Sequence, residues 1–154
     1  MAVEIHEDQP LVEPGVAWIR QVHIPMITQF DYGGTHQYPP QLAFGQVANG
    51  VRILPLDLTS VDQCILAFYP QDTGNYTLNY ILYAGSCGEL WNVHTDNANV
   101  GYPVVDDVIE CVDLVAQFPA FFAALVAGDY LRVRVNNQTA ARWIVVYGLV
   151  LRYS

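Results

Sequence analysis

The stretch Tyr76–Ala84, Tyr-Thr-Leu-Asn-Tyr-Ile-Leu-Tyr-Ala, constrains this chain more than any other. Tyr76, Leu78, Tyr80 and Leu82 share one parity. Thr77, Asn79, Ile81 and Tyr83 share the other, which is half polar. Strand side chains alternate between faces, so the pattern predicts an antiparallel strand with a core face and a mixed face. The same period recurs elsewhere. Val16, Trp18, Val22 and Ile24 fall on one parity, with Arg20 interrupting. Cys64–Tyr69 reads as a strand ending at the turn-rich cluster Pro70–Asn75. Tyr130, Arg132 and Arg134 oppose Leu131, Val133 and Val135, and Ala141–Tyr153 reads as a long closing strand.

Other segments carry weaker signals. Asn49-Gly50, between Gln41–Val47 and Val51–Leu58, predicts a hairpin turn. Leu90–Val93 fits strand or loop, and Asp96–Tyr102 reads as loop by composition. Val104–Leu114 reads as a strand carrying Asp106, Asp107, Glu110 and Asp113. Val115–Ala127 is the helix candidate, with Pro119 suited to a first turn and Gly128 to a stop. Its apolar character all round predicts a buried helix, or one that plugs an end of a sandwich. The expected fold is an all-β antiparallel sandwich, jelly-roll-like, with about eight strands, one short helix and an extended N-terminal arm. The arm is 1–15, marked by Glu4, Glu7, Asp8, Glu13, Pro10 and Pro14, and a single domain covers 16–154.

Charge narrows the function classes. Six arginines face fifteen acids, lysine is absent, and the net charge is −9. A basic footprint for nucleic acid is excluded on that ground, as is a polybasic membrane patch. The acidic start lacks the basic region of a signal peptide, and no apolar stretch approaches the ~20 residues of a spanning helix. Only 14% of residues are charged, while tyrosines number ten and tryptophans three. This balance predicts surface hidden against copies of the chain or a larger assembly, the plainer alternative being an apolar-rich monomer.

Catalytic and metal-binding patterns are missing. Cys64, Cys87 and Cys111 form no CxxC and lack histidines at zinc spacing, so buried free thiols are expected. His6, His23, His36 and His94 are scattered, and His94 reads as a loop histidine with a hydrogen-bonded partner. Asp72-Thr-Gly-Asn75 lacks the acid ladder of a calcium loop and reads as a hairpin turn. As a strand, the acidic segment would divide Asp106 and Glu110 from Asp107 and Asp113. Neither a phosphate-cradling pattern nor a nucleophile elbow occurs. The expectation is a non-enzymatic protein without cofactor or metal. The sequons Asn75-Tyr-Thr77 and Asn137-Gln-Thr139 read as chance matches. Tyr32, Tyr38, Trp91 and Tyr102 fall in predicted loops or strand ends, where aromatics mark subunit interfaces or sugar-stacking platforms. Trp91–Asn97 offers Asn, Asp and an aromatic on one rim, making Trp91, Asn92 and Asp96 the candidate glycan ligands.

The second half, roughly 50–154, also carries a resemblance. Leu90-Trp-Asn-Val-His-Thr95, then Val126-Ala-Gly-Asp-Tyr130, then the end Tyr147-Gly-Leu-Val-Leu-Arg-Tyr-Ser154 follow in order. This order resembles small β-sandwich structural proteins of phages, prophages and metagenomic viruses. The resemblance implies a jelly-roll-like virion component, such as a capsid decoration or cement protein, a spike or a fibre head. It implies a homotrimer that packs on a major capsid or other virion protein, and it implies no catalytic residues. A carbohydrate-binding sandwich, free-standing or as a virion adhesin, is the alternative function.

Overall fold

The computed structural model describes residues 20–28 and 39–154. The expected arm, most of the 30–40 loop, Tyr32 and Tyr38 lie outside the described residues. Ten strands and two short helical segments follow in order: β1 (Arg20–Ile24), β2 (Ile27–Thr28), β3 (Gln41–Leu42), β4 (Val47–Ile53), β5 (Val61–Pro70), β6 (Gly74–Gly85), β7 (His94–Val104), β8 (Glu110–Asp113), α1 (Leu114–Gln117), α2 (Pro119–Ala123), β9 (Tyr130–Asn137) and β10 (Ile144–Tyr153). One sheet runs β1-β10-β5-β8, with β3 also on β10; the other runs β2-β4-β9-β6-β7. Every pairing is antiparallel. The chain is therefore an antiparallel β-sandwich of jelly-roll-like plan. Among the described residues, β6 and β7 are the only consecutive strands that pair with each other; every other link crosses between sheets.

The core follows from alternation. Tyr76, Leu78, Tyr80, Leu82 and Ala84 of β6 are fully buried, beside Leu131, Val133 and Val135 of β9. Cys64, Leu66 and Phe68 of β5 meet them from the other sheet, with Ile144, Val146, Leu149 and Leu151 of β10. Burying each large side chain contributes about 1.5–3 kcal/mol in transfer free energy. The buried positions of β10 switch parity between Val146 and Leu149. A bulge at Gly148, φ +141°, inserts the extra residue that makes the switch. At the core the hydroxyls of Tyr80 and Tyr102 meet at 2.9 Å. Burial and this neighbour push the Tyr80 hydroxyl well above the usual tyrosine range.

The expected single helix is two short pieces. Phe118, which precedes Pro119, has φ −129° and ψ 58°, outside the helical region that a following proline disfavours. Pro119 opens α2 as its N-terminal residue. Asp113 caps α1 by accepting from the Val115 N–H at 3.0 Å, and also takes the Cys64 N–H at 3.1 Å. Leu114, Phe118, Phe121, Phe122 and Leu125 are buried. Phe118 meets the Tyr80 ring edge-on at 5.9 Å. Gly128, φ +82°, lies past the helix in the turn before β9 rather than at its stop.

Four further local expectations are corrected. Asn49-Gly50 is not a turn but the middle of β4, whose residues Val47–Ile53 pair continuously with β9. Gly50 is needed there for close approach: a Cβ would lie 2.6 Å from Met26 Sδ and 2.9 Å from Ile24 Cγ2. Asp96–Tyr102 is not loop but the body of β7, paired along its length with β6. Its polar composition reflects an edge strand with one outer face, while Ala98, Val100 and Tyr102 pack on the core. The turn after β5 is not a hairpin, because β5 and β6 lie in different sheets. Only Glu110–Asp113 of the predicted Val104–Leu114 strand forms β8, since Asp107 takes φ +61° in the preceding turn.

The thiols also differ from expectation. Cys64 is buried, whereas Cys87 and Cys111 are exposed. Burial, and after it the Asp113 carboxylate, raise the Cys64 thiol far above its ordinary value. In the native protein a thiol reagent should therefore titrate Cys87 and Cys111 quickly and Cys64 only in denaturant. A third fast thiol would contradict this packing. Gly50→Val should lower stability by about 1–3 kcal/mol through overpacking against Ile24 and Met26. The urea midpoint reads it, and an unchanged midpoint would show that the close approach does not exist.

Candidate binding site

With its inner stripe fixed, the second sheet presents a defined outer stripe. In register, Ile53, Tyr130 and Gly85 form one row, and Val51, Arg132, Tyr83 and Thr95 the next. Asn49, Arg134, Ile81 and Asn97 follow, then Val47, Asn136, Asn79 and Asn99. A cleft of about 470 Å³ opens on the first rows, lined by Ile27, Asn49, Val51, Tyr83, Trp91, Tyr130 and Arg132 among others. Tyr83 and Arg132 are direct cross-strand partners, and Gly85 lies opposite Tyr130.

The wall of the cleft comes from the β6–β7 connection. Gly85 lies so close to the Leu90 carbonyl that a side chain there would collide with it. Ser86 anchors the loop twice. Its N–H donates to Glu89 Oε2 at 2.9 Å, and its hydroxyl donates to Asp129 Oδ1 at 2.6 Å. Asp129 is buried, and its other oxygen accepts from the Val126 N–H at 2.9 Å. The loop is thus tied to the start of β9. Trp91 then stands over Tyr83, with ring centroids 4.6 Å apart and planes at 62°. Trp91 is 61% exposed and Tyr130 48%. Large aromatic surface left in water beside a concavity marks a place for a ligand.

The polar part of the cleft is held in place. Asn49 is buried, and its Oδ1 accepts from Arg132 Nε at 3.1 Å. That bond spends one guanidinium donor and aims the planar group. The cleft thus combines aromatic faces with an oriented amide and guanidinium.

Of the sequence candidates, Trp91 lines the cleft. Asn92 is exposed in the adjacent turn and is not part of the lining. Asp96 lies opposite Leu82 on the core-side parity of β7, and its Oδ1 accepts from the Asn97 N–H at 2.8 Å. The three are therefore not brought together as one ligand set. Tyr83, Tyr130, Arg132 and Asn49 join Trp91 instead. The parity of Tyr83, Tyr130 and Arg132 was visible in the sequence, but the adjacency of β6 and β9 was not.

Other singled-out residues have structural partners. His94 is not in a loop but opens β7 opposite Ala84. Asp72 accepts from the Tyr76 hydroxyl at 2.8 Å and pairs with Arg142 at 3.4 Å. Asp107 accepts from the Tyr69 hydroxyl at 2.7 Å, and this bond raises the phenol to about 12. Asp113 is the α1 cap, its Oδ1 taken up by the N–H groups of Val115 and Cys64. Among the described residues no group of three or more His, Cys, Asp or Glu could hold a metal ion. Asn137 is buried and fully engaged. Its Nδ2 donates to the carbonyls of Leu42 and Arg142, both at 2.9 Å, and its Oδ1 accepts from the Thr139 N–H at 2.9 Å.

No protein-family model matches the chain, and no curated protein does. Among solved structures it is similar to a family two carbohydrate esterase from Cellvibrio japonicus, with TM-score 0.44, 10% identity and 88% of this chain covered. The match spans 34% of the esterase, about a third of its length. It is also similar to the carbohydrate-binding module CBM36 in complex with calcium and xylotriose, with TM-score 0.42 and 12% identity. That match covers 86% of this chain and 98% of the module.

Proposed function

We propose that this protein is a carbohydrate-binding β-sandwich whose ligand lies in the cleft beneath Trp91. The observation that carries the reading is the meeting of Trp91, Tyr83 and Tyr130 with the Asn49–Arg132 pair in one concavity. A pyranose has apolar C–H faces and a rim of hydroxyls. Exposed aromatic rings take the first, and fixed amide and guanidinium groups take the second. The cleft volume falls within the roughly 300–1,000 Å³ of small-molecule sites. Among the described residues its lining contains no Asp, Glu, His, Cys or Ser. The groups that the lining does offer, aromatic faces beside an amide and a guanidinium, are those of a binding site, and binding is the reading they support.

Trp91→Ala should weaken glycan binding by about tenfold or more, equivalent to ~1.4 kcal/mol, while shifting the unfolding midpoint little, because most of the indole is exposed. Calorimetry on a glycan that binds the wild type reads the first effect, and urea denaturation the second. Undiminished affinity in a folded Trp91→Ala protein would remove the cleft from the binding reaction.

A second reading has its own support. Val105, Val108 and Ile109 stand exposed together in the β7–β8 connection, away from the cleft. Clustered aliphatics of this kind are covered when a chain packs on another. Such packing would accommodate a homotrimer or attachment to a virion surface. Light scattering after size exclusion should then give about three times the 17.2 kDa chain mass, insensitive to reductant. A monomer at all working concentrations would sink the self-assembly reading.

A further inference from the structure

We propose that the ligand of this cleft is an acidic glycan, one bearing carboxylate or sulfate groups, and that Arg132 and Arg134 select it. The proposal rests on the carbohydrate reading above and adds the charge class of the sugar. The chain has a net charge of −9 and only six arginines. Arg20 is paired with Asp57 and Arg142 with Asp72, while Arg152 donates to Gln63 Oε1 at 2.9 Å. Arg52 is exposed on the other parity of β4. Among the described residues Arg132 and Arg134 remain: Arg132 lines the cleft, and Arg134 sits in the next row of the outer stripe of β9, roughly 7 Å away along the strand.

The rest of that stripe carries no acid. Its register positions on β4, β6, β7 and β9 are Asn, Thr, Gly, Tyr and aliphatic residues around the two arginines. The chain's acids in the described part stand elsewhere. Glu89, the one in the Trp91 loop, is turned back onto the Ser86 N–H. In a strongly acidic protein this leaves a cationic island beside the aromatic wall. Among the described residues, an anion brought there meets attraction from two guanidinium groups and no carboxylate on the same stripe.

The donors also have capacity left. Among the described residues Arg132 bonds through Nε to Asn49, and its two terminal nitrogens carry donors that this bond does not use. Arg134 Nε is buried and makes no hydrogen bond. Guanidinium groups match carboxylate and sulfate oxygens through parallel N–H donors, so they distinguish an acidic sugar from its neutral counterpart more sharply than a hydroxyl-binding amide does.

The test is a glycan array carrying matched members, each uronate beside its methyl ester and each sulfated glycan beside its desulfated form. Wild type, Arg132→Gln, Arg134→Gln and Trp91→Ala are compared, each first shown to be folded by its urea midpoint. The expected result is binding to acidic members at least tenfold tighter than to their neutral partners. That preference should shrink at high salt and fall in Arg132→Gln or Arg134→Gln, whereas Trp91→Ala should weaken whatever is bound. Equal or tighter binding of the neutral members would overturn the acidic assignment and leave the carbohydrate reading standing. An acidic preference intact in both arginine variants would overturn the role of this face. No binding to any member would overturn both readings.

Discussion

Everything on the outer face of the second sheet depends on which side of β6 is buried. Tyr76, Leu78, Tyr80, Leu82 and Ala84 are wholly excluded from water, and a strand has only two faces. Their burial leaves Asn79, Ile81 and Tyr83 outward. A slip of one residue would carry Thr77 and Asn79 into the core and turn Leu78 and Leu82 to solvent, so the register is strongly held. Partners on both sides copy that choice. Thr95 and Asn97 of β7, and Arg132 and Arg134 of β9, face outward because they sit opposite Tyr83 and Ile81. The candidate site is thus the complement of the core.

The loop over the cleft is held by the same economy of contacts. Asp129 is a buried carboxylate at the entry to β9, and it binds the Ser86 hydroxyl and the Val126 N–H. The β6–β7 loop and the turn between α2 and β9 therefore meet at one residue. Trp91 gains its position from this anchor and from the Tyr83 ring beneath it. An aromatic platform on a tied loop loses less freedom on binding than one on a free loop.

The strands with clean alternation were legible in the sequence. Tyr76–Ala84 and Leu131–Val135 bury the very residues their parity predicts, and Trp91 was marked by its exposed setting. What failed were signals that assume a strand pairs with its neighbour in sequence. Asn49-Gly50 has hairpin chemistry, yet β3, β4 and β5 each lie in a different sheet from the next, so no hairpin can form there. Gly50 answers to Ile24 and Met26, which are distant in sequence. Asp96–Tyr102 was obscured because an edge strand with a wet face looks like a loop in composition, although its alternation was present. The site was half legible for a related reason: faces follow from parity, but the pairing of Tyr83 with Arg132 belongs to the sheet order.

Asn137 carries a consequence of a different kind. Its side chain bridges two carbonyls and an amide inside the closed sandwich, and it is also the acceptor of a glycosylation sequon. A sugar attached to Nδ2 would remove one donor hydrogen and place a bulky polar group where the chain leaves no room. Folding and modification at this asparagine are mutually exclusive. In any compartment that glycosylates nascent chains, the two would race, and each molecule that lost the race would be held out of its native state by a covalent bond.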